Sequence, residues 1–268
     1  MGGSFRDAEH AGWMARGESY DALFSAITSQ AIPHVLALLG DLAGKAVLDV
    51  CCGPGHFAAA AAGRGAEAQG VDFAAAMVAR ARRNHPTIPF REGDAERLPF
   101  EDGAFDHVVC LFGIMHLAAP EAAIAEAHRV LRPGGSYAFT QWAEDDDLLQ
   151  IVGTALAAHG RSDVDLPPAP PPMRFSDPDE CRRALQSGGF RDVGALRIEL
   201  QWRTDRAEAV LDLIESGAVR AALLLEAQEP ARRARIHKAI IEAAETRRAG
   251  SEIILDRPAV LASGKKEC

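Results

Sequence analysis

Between residues 47 and 140 the apolar positions follow two alternating rhythms. Short runs that are apolar throughout give way to longer stretches with one apolar face, then short runs return. Val47 to Val50 predicts a buried strand ending at a Gly/Pro turn, and the alanine-rich stretch Phe57 to Ala62 predicts a helix. Ala66 to Val71 predicts a second strand, and Ala74 to Arg83 a helix with Met77 and Val78 on its apolar side. Phe90 to Glu92 is a brief third strand. FDHVVCLF, Phe105 to Phe112, is the clearest strand, rich in β-branched and apolar residues. Glu121 to Val130 predicts a helix stopped by the Pro133-Gly134-Gly135 turn, and Ser136 to Gln141 a fifth strand. Strands that alternate with helices imply a parallel sheet covered on both faces.

Beyond residue 142 the rhythm breaks. The acidic run Glu144 to Asp147 precedes a short helix, and LPPAPPPM at 166–173 is a proline-stiffened loop. Ser176 or Asp177 caps a helix that ends at Gly188-Gly189. Val193 to Trp202 predicts a strand, residues 205–247 two helices broken at Pro230, and Glu252 to Leu255 and Pro258 to Ala262 short extended segments. The expected architecture is α/β, Rossmann-like. It has a mostly parallel sheet, a helical cap at 1–44, a core at 45–142, and further elements at 143–268 that include the helical insertion 205–247. All of it forms one domain.

Composition narrows the function classes. With 29 Lys+Arg against 38 Asp+Glu the formal charge is −9, which argues against nucleic acid as a partner because phosphate binding needs a basic footprint. No run of about 18 apolar residues reads as a membrane span, and the opening MGGSFRDAEH has no apolar run of the secretory type. Five cysteines without a C-x-x-C spacing fit reduced thiols in a cytoplasmic protein and suggest no metal site. The apolar helices at 205–228 offer a surface for a homodimer.

The sharpest chemical feature is VLDVCCGPGHFA, residues 47–58, a strand running through a glycine turn into a helix. Gly53 and Gly55 let the backbone turn tightly and approach a ligand, and the helix start presents free N–H groups. Asp72, ending the second strand, is placed to accept hydrogen bonds from ribose hydroxyls. Gly53-x-Gly55-x-x-Ala58 and Asp72 also suit an NAD(P)-dependent oxidoreductase. However, Tyr20 and Tyr137 are the only tyrosines, and neither has a lysine four residues on. A non-catalytic binding module of the same fold is a further alternative.

GDAERLPF at 93–100, FDHVVC at 105–110 and LRPGG at 131–135 follow in order. With these motifs the chain resembles the class I S-adenosylmethionine-dependent methyltransferases, in particular the small-molecule branch similar to the quinone-biosynthesis C-methyltransferases. The resemblance is strong over about residues 45–140, and it implies a Rossmann-like, seven-stranded, mostly parallel sheet with helices on both faces and 143–268 on the substrate side. It implies S-adenosyl-L-methionine as cofactor, with Asp49, Gly53 and Gly55 around its methionine part, Asp72 on the ribose and Phe73 beside the adenine. It further implies Asp94 and Ala95 at the adenine amino edge, Cys110 and Leu111 beside the methionine moiety, and Tyr20 closing over the cofactor. Met77 and Glu96 complete the expected set. Cys51 joins it as a departure, since the pattern usually has glycine there, and its side chain narrows the pocket. The implied reaction is an in-line methyl transfer to a small organic acceptor. His116, a few residues past the fourth strand, is the candidate base. Trp13, Met14, Phe24 and Trp142 are candidates for the acceptor pocket.

Overall fold

A computed structural model describes residues 4–161 and 163–268. Met1–Gly3, part of the opening segment expected to differ from a secretory signal, lie outside the described residues. The central sheet is built from β1 (Ala46–Val50), β2 (Glu67–Asp72), β3 (Phe90–Glu92), β4 (Phe105–Cys110), β5 (Leu131–Trp142), β6 (Phe190–Ile198) and a late strand described below. Helix α1 (Phe5–Ser19) leads through a π-helical turn, Tyr20–Phe24, into α2 (Ser25–Thr28) and α3 (Ile32–Leu39). Helices α4 (His56–Ala62), α5 (Ala75–Asn84), α6 (Pro120–Val130), α7 (Asp147–His159) and α8 (Pro178–Ser187) cover the sheet. An inserted group follows: β7 (Gln201–Thr204), α9 (Ala209–Gly217), α10 (Val219–Glu226), α11 (Pro230–Glu245), β8 (Arg248–Ala249) and β9 (Glu252–Asp256). The chain closes with β10 (Ala259–Lys266).

The seven strands lie in the order β3-β2-β1-β4-β5-β10-β6, and β10 runs antiparallel to both neighbours. The chain moves outward from β1 to β3 and then returns to β4 on the other side of β1. That reversal opens a crevice at the carboxyl ends of β1 and β4. Register keeps those ends level: Val50 pairs with Val71, and Asp49 with Val109. Cys51, Asp72 and Leu111 therefore emerge along one rim.

Alternation along the strands divides the core. Leu48, Val50, Val108, Tyr137 and Phe139 face a cluster that includes Ile124, Leu185 and Phe190 from the α6 and α8 side. Val47, Val109 and Ala138 face the opposite cluster, with Phe57, Leu148 and Ile214. Strands buried on both faces need continuous apolar runs, which is what β4 supplies.

Several expectations are corrected. Val193 to Trp202 is two strands, because the chain leaves the main sheet at Glu199–Leu200. β6 stays in that sheet, and β7 pairs with β9 in a separate antiparallel sheet ordered β7-β9-β8. The Pro133-Gly134-Gly135 segment lies within β5 beside a register shift. The 205–247 insertion holds three helices, with an additional break at Ala218 (φ −113°, ψ 70°). Beside that break Gly217 packs so tightly on Phe24 that a Cβ would stand 2.2 Å from Cδ2. The apolar face expected to pair two chains is consumed internally, since Val210, Leu213, Ile214, Val219 and Leu225 are buried. Asp177, not Ser176, caps α8 through its side chain. The continuous helical run Phe5–Leu39 is long and apolar enough, by length and composition, to cross a membrane, contrary to the reading of the sequence. Of its apolar residues, Phe24, Ile27, Ala31, Val35 and Leu36 are buried in this chain's own core, whereas Leu23 and Leu38 are exposed.

Candidate active site

The rim at the carboxyl edge encloses a crevice lined by Tyr20, Cys51, Gly53, Asp72, Phe73, Met77, Asp94, Ala95, Glu96 and Leu111. Ten of the thirteen residues expected to hold the cofactor are thus brought together. Gly53 adopts a left-handed conformation (φ +50°), and a Cβ there would project into open space, with only Tyr20 Cε1 at 3.9 Å. The bare backbone forms a cradle that any side chain would fill. Asp72 sits directly below it. Its Oδ2 accepts from Gly53 N and its Oδ1 from Ala74 N, both at 2.9 Å. Burial pushes the Asp72 carboxyl up to about 6, against the opposing pull of those two N–H groups. Each oxygen keeps a lone pair for a hydroxyl.

Asp49, Gly55 and Cys110 stand behind the lining. Asp49 Oδ2 accepts from Ala58 N at 3.2 Å, holding the first turn of α4, and burial raises its carboxyl to about 8. It faces a smaller hollow shared with Tyr20, Cys51, Gly53 and Leu111. Gly55 (φ +85°) lies under Phe90, whose Cζ would be 2.6 Å from an added Cβ, so its role is close packing. Cys110 is buried and its thiol meets that of Cys51. Cys51 itself has φ +55°, a left-handed conformation that costs a side chain about 1–2 kcal/mol. A glycine would occupy this position without that strain.

The aromatic candidates separate. Trp13 lines the crevice instead of an acceptor pocket, with its ring edge-on to His116 at 4.9 Å and to Tyr20 at 5.4 Å. Met14 is exposed and lines neither space. Phe24 and Trp142 pack edge to face at 6.0 Å and together line a second, larger cavity of about 410 Å³. The proline loop (Ala169–Met173) and the Gly217–Ala221 segment also wall this cavity.

His116 lines both spaces. Its Nδ1 lies 2.8 Å from Glu9 Oε2, and Glu9, only 1% exposed, reaches it from α1. Sequence reasoning missed Glu9. The available signal was an acid in the apolar stripe Phe5, Glu9, Trp13, spaced four residues apart. It also missed Arg6, which pairs with Asp94 at 2.7 Å and with Glu96 at 3.5 Å across the crevice mouth. Phe112, stacked on Trp142 at 4.1 Å, is a further lining residue.

Residues 48–139 match the family model described as a methyltransferase domain. A demethylmenaquinone methyltransferase of Beutenbergia cavernae is 42% identical over 100 residues, 37% of this chain and 42% of that protein. Among solved structures, the YcgJ protein of Bacillus subtilis superposes with TM-score 0.59 at 21% identity, covering 89% of this chain and 99% of that one. A Haemonchus contortus phosphoethanolamine N-methyltransferase, solved with phosphomonomethylethanolamine and S-adenosylhomocysteine, gives 0.55 at 18% identity, over 89% and 53% of the two chains. The fold is therefore shared with these methyltransferase structures, and residues 48–139 match a methyltransferase domain. In that segment the chain is similar to demethylmenaquinone methyltransferases, yet it spans only 42% and 46% of the length of two such relatives.

Proposed function

We propose that this chain transfers a methyl group from S-adenosylmethionine to a small organic acceptor held in the 410 Å³ cavity. The observation that carries the reading is His116, which forms a wall common to the crevice and to that cavity. When bound, S-adenosylmethionine supplies a methyl group already activated by its sulfonium. The residues present suit it: the Gly53 backbone would cradle it, Asp72 would accept from the ribose hydroxyls, and Phe73, Asp94 and Ala95 would flank the adenine end. Asp49, Tyr20, Cys51 and Leu111 border the methionine end.

The chain's own work is to align donor and acceptor and to keep water out. Tyr20, Trp13 and Phe112 supply apolar cover around the junction. His116 handles the proton. With Nδ1–H donated to the Glu9 carboxylate, the lone pair is on Nε2, which takes a proton from an O–H or N–H acceptor. Arg6 and Trp13, both on α1, line the crevice mouth. All five cysteines are free, which supports a reducing compartment.

Isothermal titration with S-adenosylhomocysteine tests the reading. One-site binding is expected. The absence of both heat and a Tm shift at millimolar concentration overturns it.

A further inference from the structure

The larger cavity has a volume within the range of small-molecule sites, and most of its wall is apolar, including Phe24, Trp142, Met173 and Leu224. Apart from the His116–Glu9 pair, three polar side chains line it: Gln141, Arg220 and Arg257. Arg257 is 1% exposed, donates Nε to Asp146, and lies over the Trp142 ring at 4.3 Å. Its Nη1 is buried without a protein partner. Arg220 makes no ion pair among the described residues, and its Nη1 is likewise buried and unpartnered. Gln141 donates Nε2 to Pro172 O at 2.7 Å, which fixes its amide and leaves the buried Oε1 free.

A guanidinium N–H held in an apolar wall without an acceptor is expensive, and two in one cavity call for a common explanation. Glu9 is committed to His116, and Asp146 to Arg257 Nε. The charge on Arg220 therefore has no local counter-ion. The missing complement is an anion with planar acceptor oxygens, which guanidinium forks recognise better than ammonium groups do. In a chain of net charge −9, two cations facing an apolar chamber mark a selective site and not a general basic surface.

We propose that the cavity selects an apolar molecule bearing a carboxylate, held by the guanidinium N–H groups of Arg220 and Arg257. Gln141 Oε1 then accepts from a hydroxyl or N–H elsewhere on the same molecule, and the apolar body fills the space between Phe24, Trp142 and the proline loop. This inference rests on the reading of the cavity as the acceptor site.

The test uses the full chain saturated with S-adenosylhomocysteine and two matched probe pairs, 1-naphthoate with its methyl ester and octanoate with its methyl ester, followed by calorimetry at pH 7.5. At least one acid is expected to bind tenfold or more tighter than its ester. Arg220→Gln, at a half-buried position where folding is not at stake, is expected to cut that preference tenfold or more while leaving the affinity for S-adenosylhomocysteine unchanged. Gln141→Leu serves as a second variant and is expected to retain the acid preference. Esters that bind as tightly as acids in both pairs, no binding by any probe, or a preference insensitive to Arg220→Gln overturn the proposal. Failure of S-adenosylhomocysteine to bind at all instead overturns the methyltransferase reading on which it rests.

Discussion

The crevice and the cavity meet at His116, yet they are built in different ways. The crevice is made at strand ends. Asp72 ends a strand of the parallel sheet and Cys51, Gly53, Asp94 and Leu111 each follow one, and much of what they offer is backbone or a short side chain fixed by sheet register. The cavity is made of long side chains from scattered elements: Phe5 and Glu9 on α1, Trp142 ending β5, the 169–173 loop, Arg220 on α10 and Arg257 before β10. On the proposed reading, the sheet places the donor, whereas the appended segments choose what it meets. The crevice is tuned by removing atoms, and the cavity by adding them.

That contrast can be broken at specific positions, and the largest effect is expected in the cavity. Arg257→Met leaves Asp146 buried without its partner and costs about 3–5 kcal/mol in urea unfolding. A double variant that adds Asp146→Asn, which keeps an oxygen for the Leu149 N–H at the start of α7, recovers most of the loss, because it is the lone charge that is expensive. If the single and double variants are equally unstable, the pair is not coupled as its geometry implies.

Next comes the crevice. Asp72→Ala is expected to weaken S-adenosylhomocysteine binding about 100-fold, or about 3 kcal/mol, since it removes a charged acceptor of two hydroxyls. Unchanged affinity by calorimetry would detach Asp72 from the sugar.

Two smaller effects sharpen the comparison. Cys51→Gly relieves the left-handed strain of about 1–2 kcal/mol but adds about 0.5–1 kcal/mol of chain entropy, so stability changes by about 1 kcal/mol or less. S-adenosylhomocysteine binding is expected to tighten as the crevice widens, and weaker binding would show that the thiol contributes contact. The last effect concerns pH. Asp72 and Asp49 have carboxyls raised to about 6 and about 8, against about 3.9 in the unfolded chain. Between those values the folded state holds more protons than the unfolded one, so these two groups make stability fall as pH rises from about 4 to about 8. Asp49→Asn keeps an oxygen for the Ala58 N–H and removes the upper part of that slope. Its Tm is expected to stay flatter than the parent's from pH 6 to 8, and identical pH profiles would contradict the burial argument.

The same division explains what was legible in the sequence. The strand–turn–helix at 47–58, Asp72 and Asp94 were readable because each is local and the parallel sheet places strand ends side by side. Gly55 and Cys110 belong to that local pattern too, but sequence does not distinguish a residue that lines a crevice from one that supports its wall, and Asp49 faces the smaller hollow beside it. Trp13 lies on the crevice, apart from Phe24 and Trp142, because the path of α1 across the crevice mouth depends on tertiary packing. Glu9, Arg6, Arg220 and Arg257 carried little signal, since polar residues in amphipathic or irregular stretches usually face water. The strand expected at 193–202 concealed a transfer between two sheets, because both halves share the same alternating pattern.

A crystal structure with S-adenosylhomocysteine bound is the most direct test of the central claim. The account requires the ribose hydroxyls on the Asp72 carboxylate, with the sulfur turned toward the His116 wall and the larger cavity beyond it. A nucleoside seated elsewhere, or seated in the crevice with its sulfur facing away from His116, would contradict it.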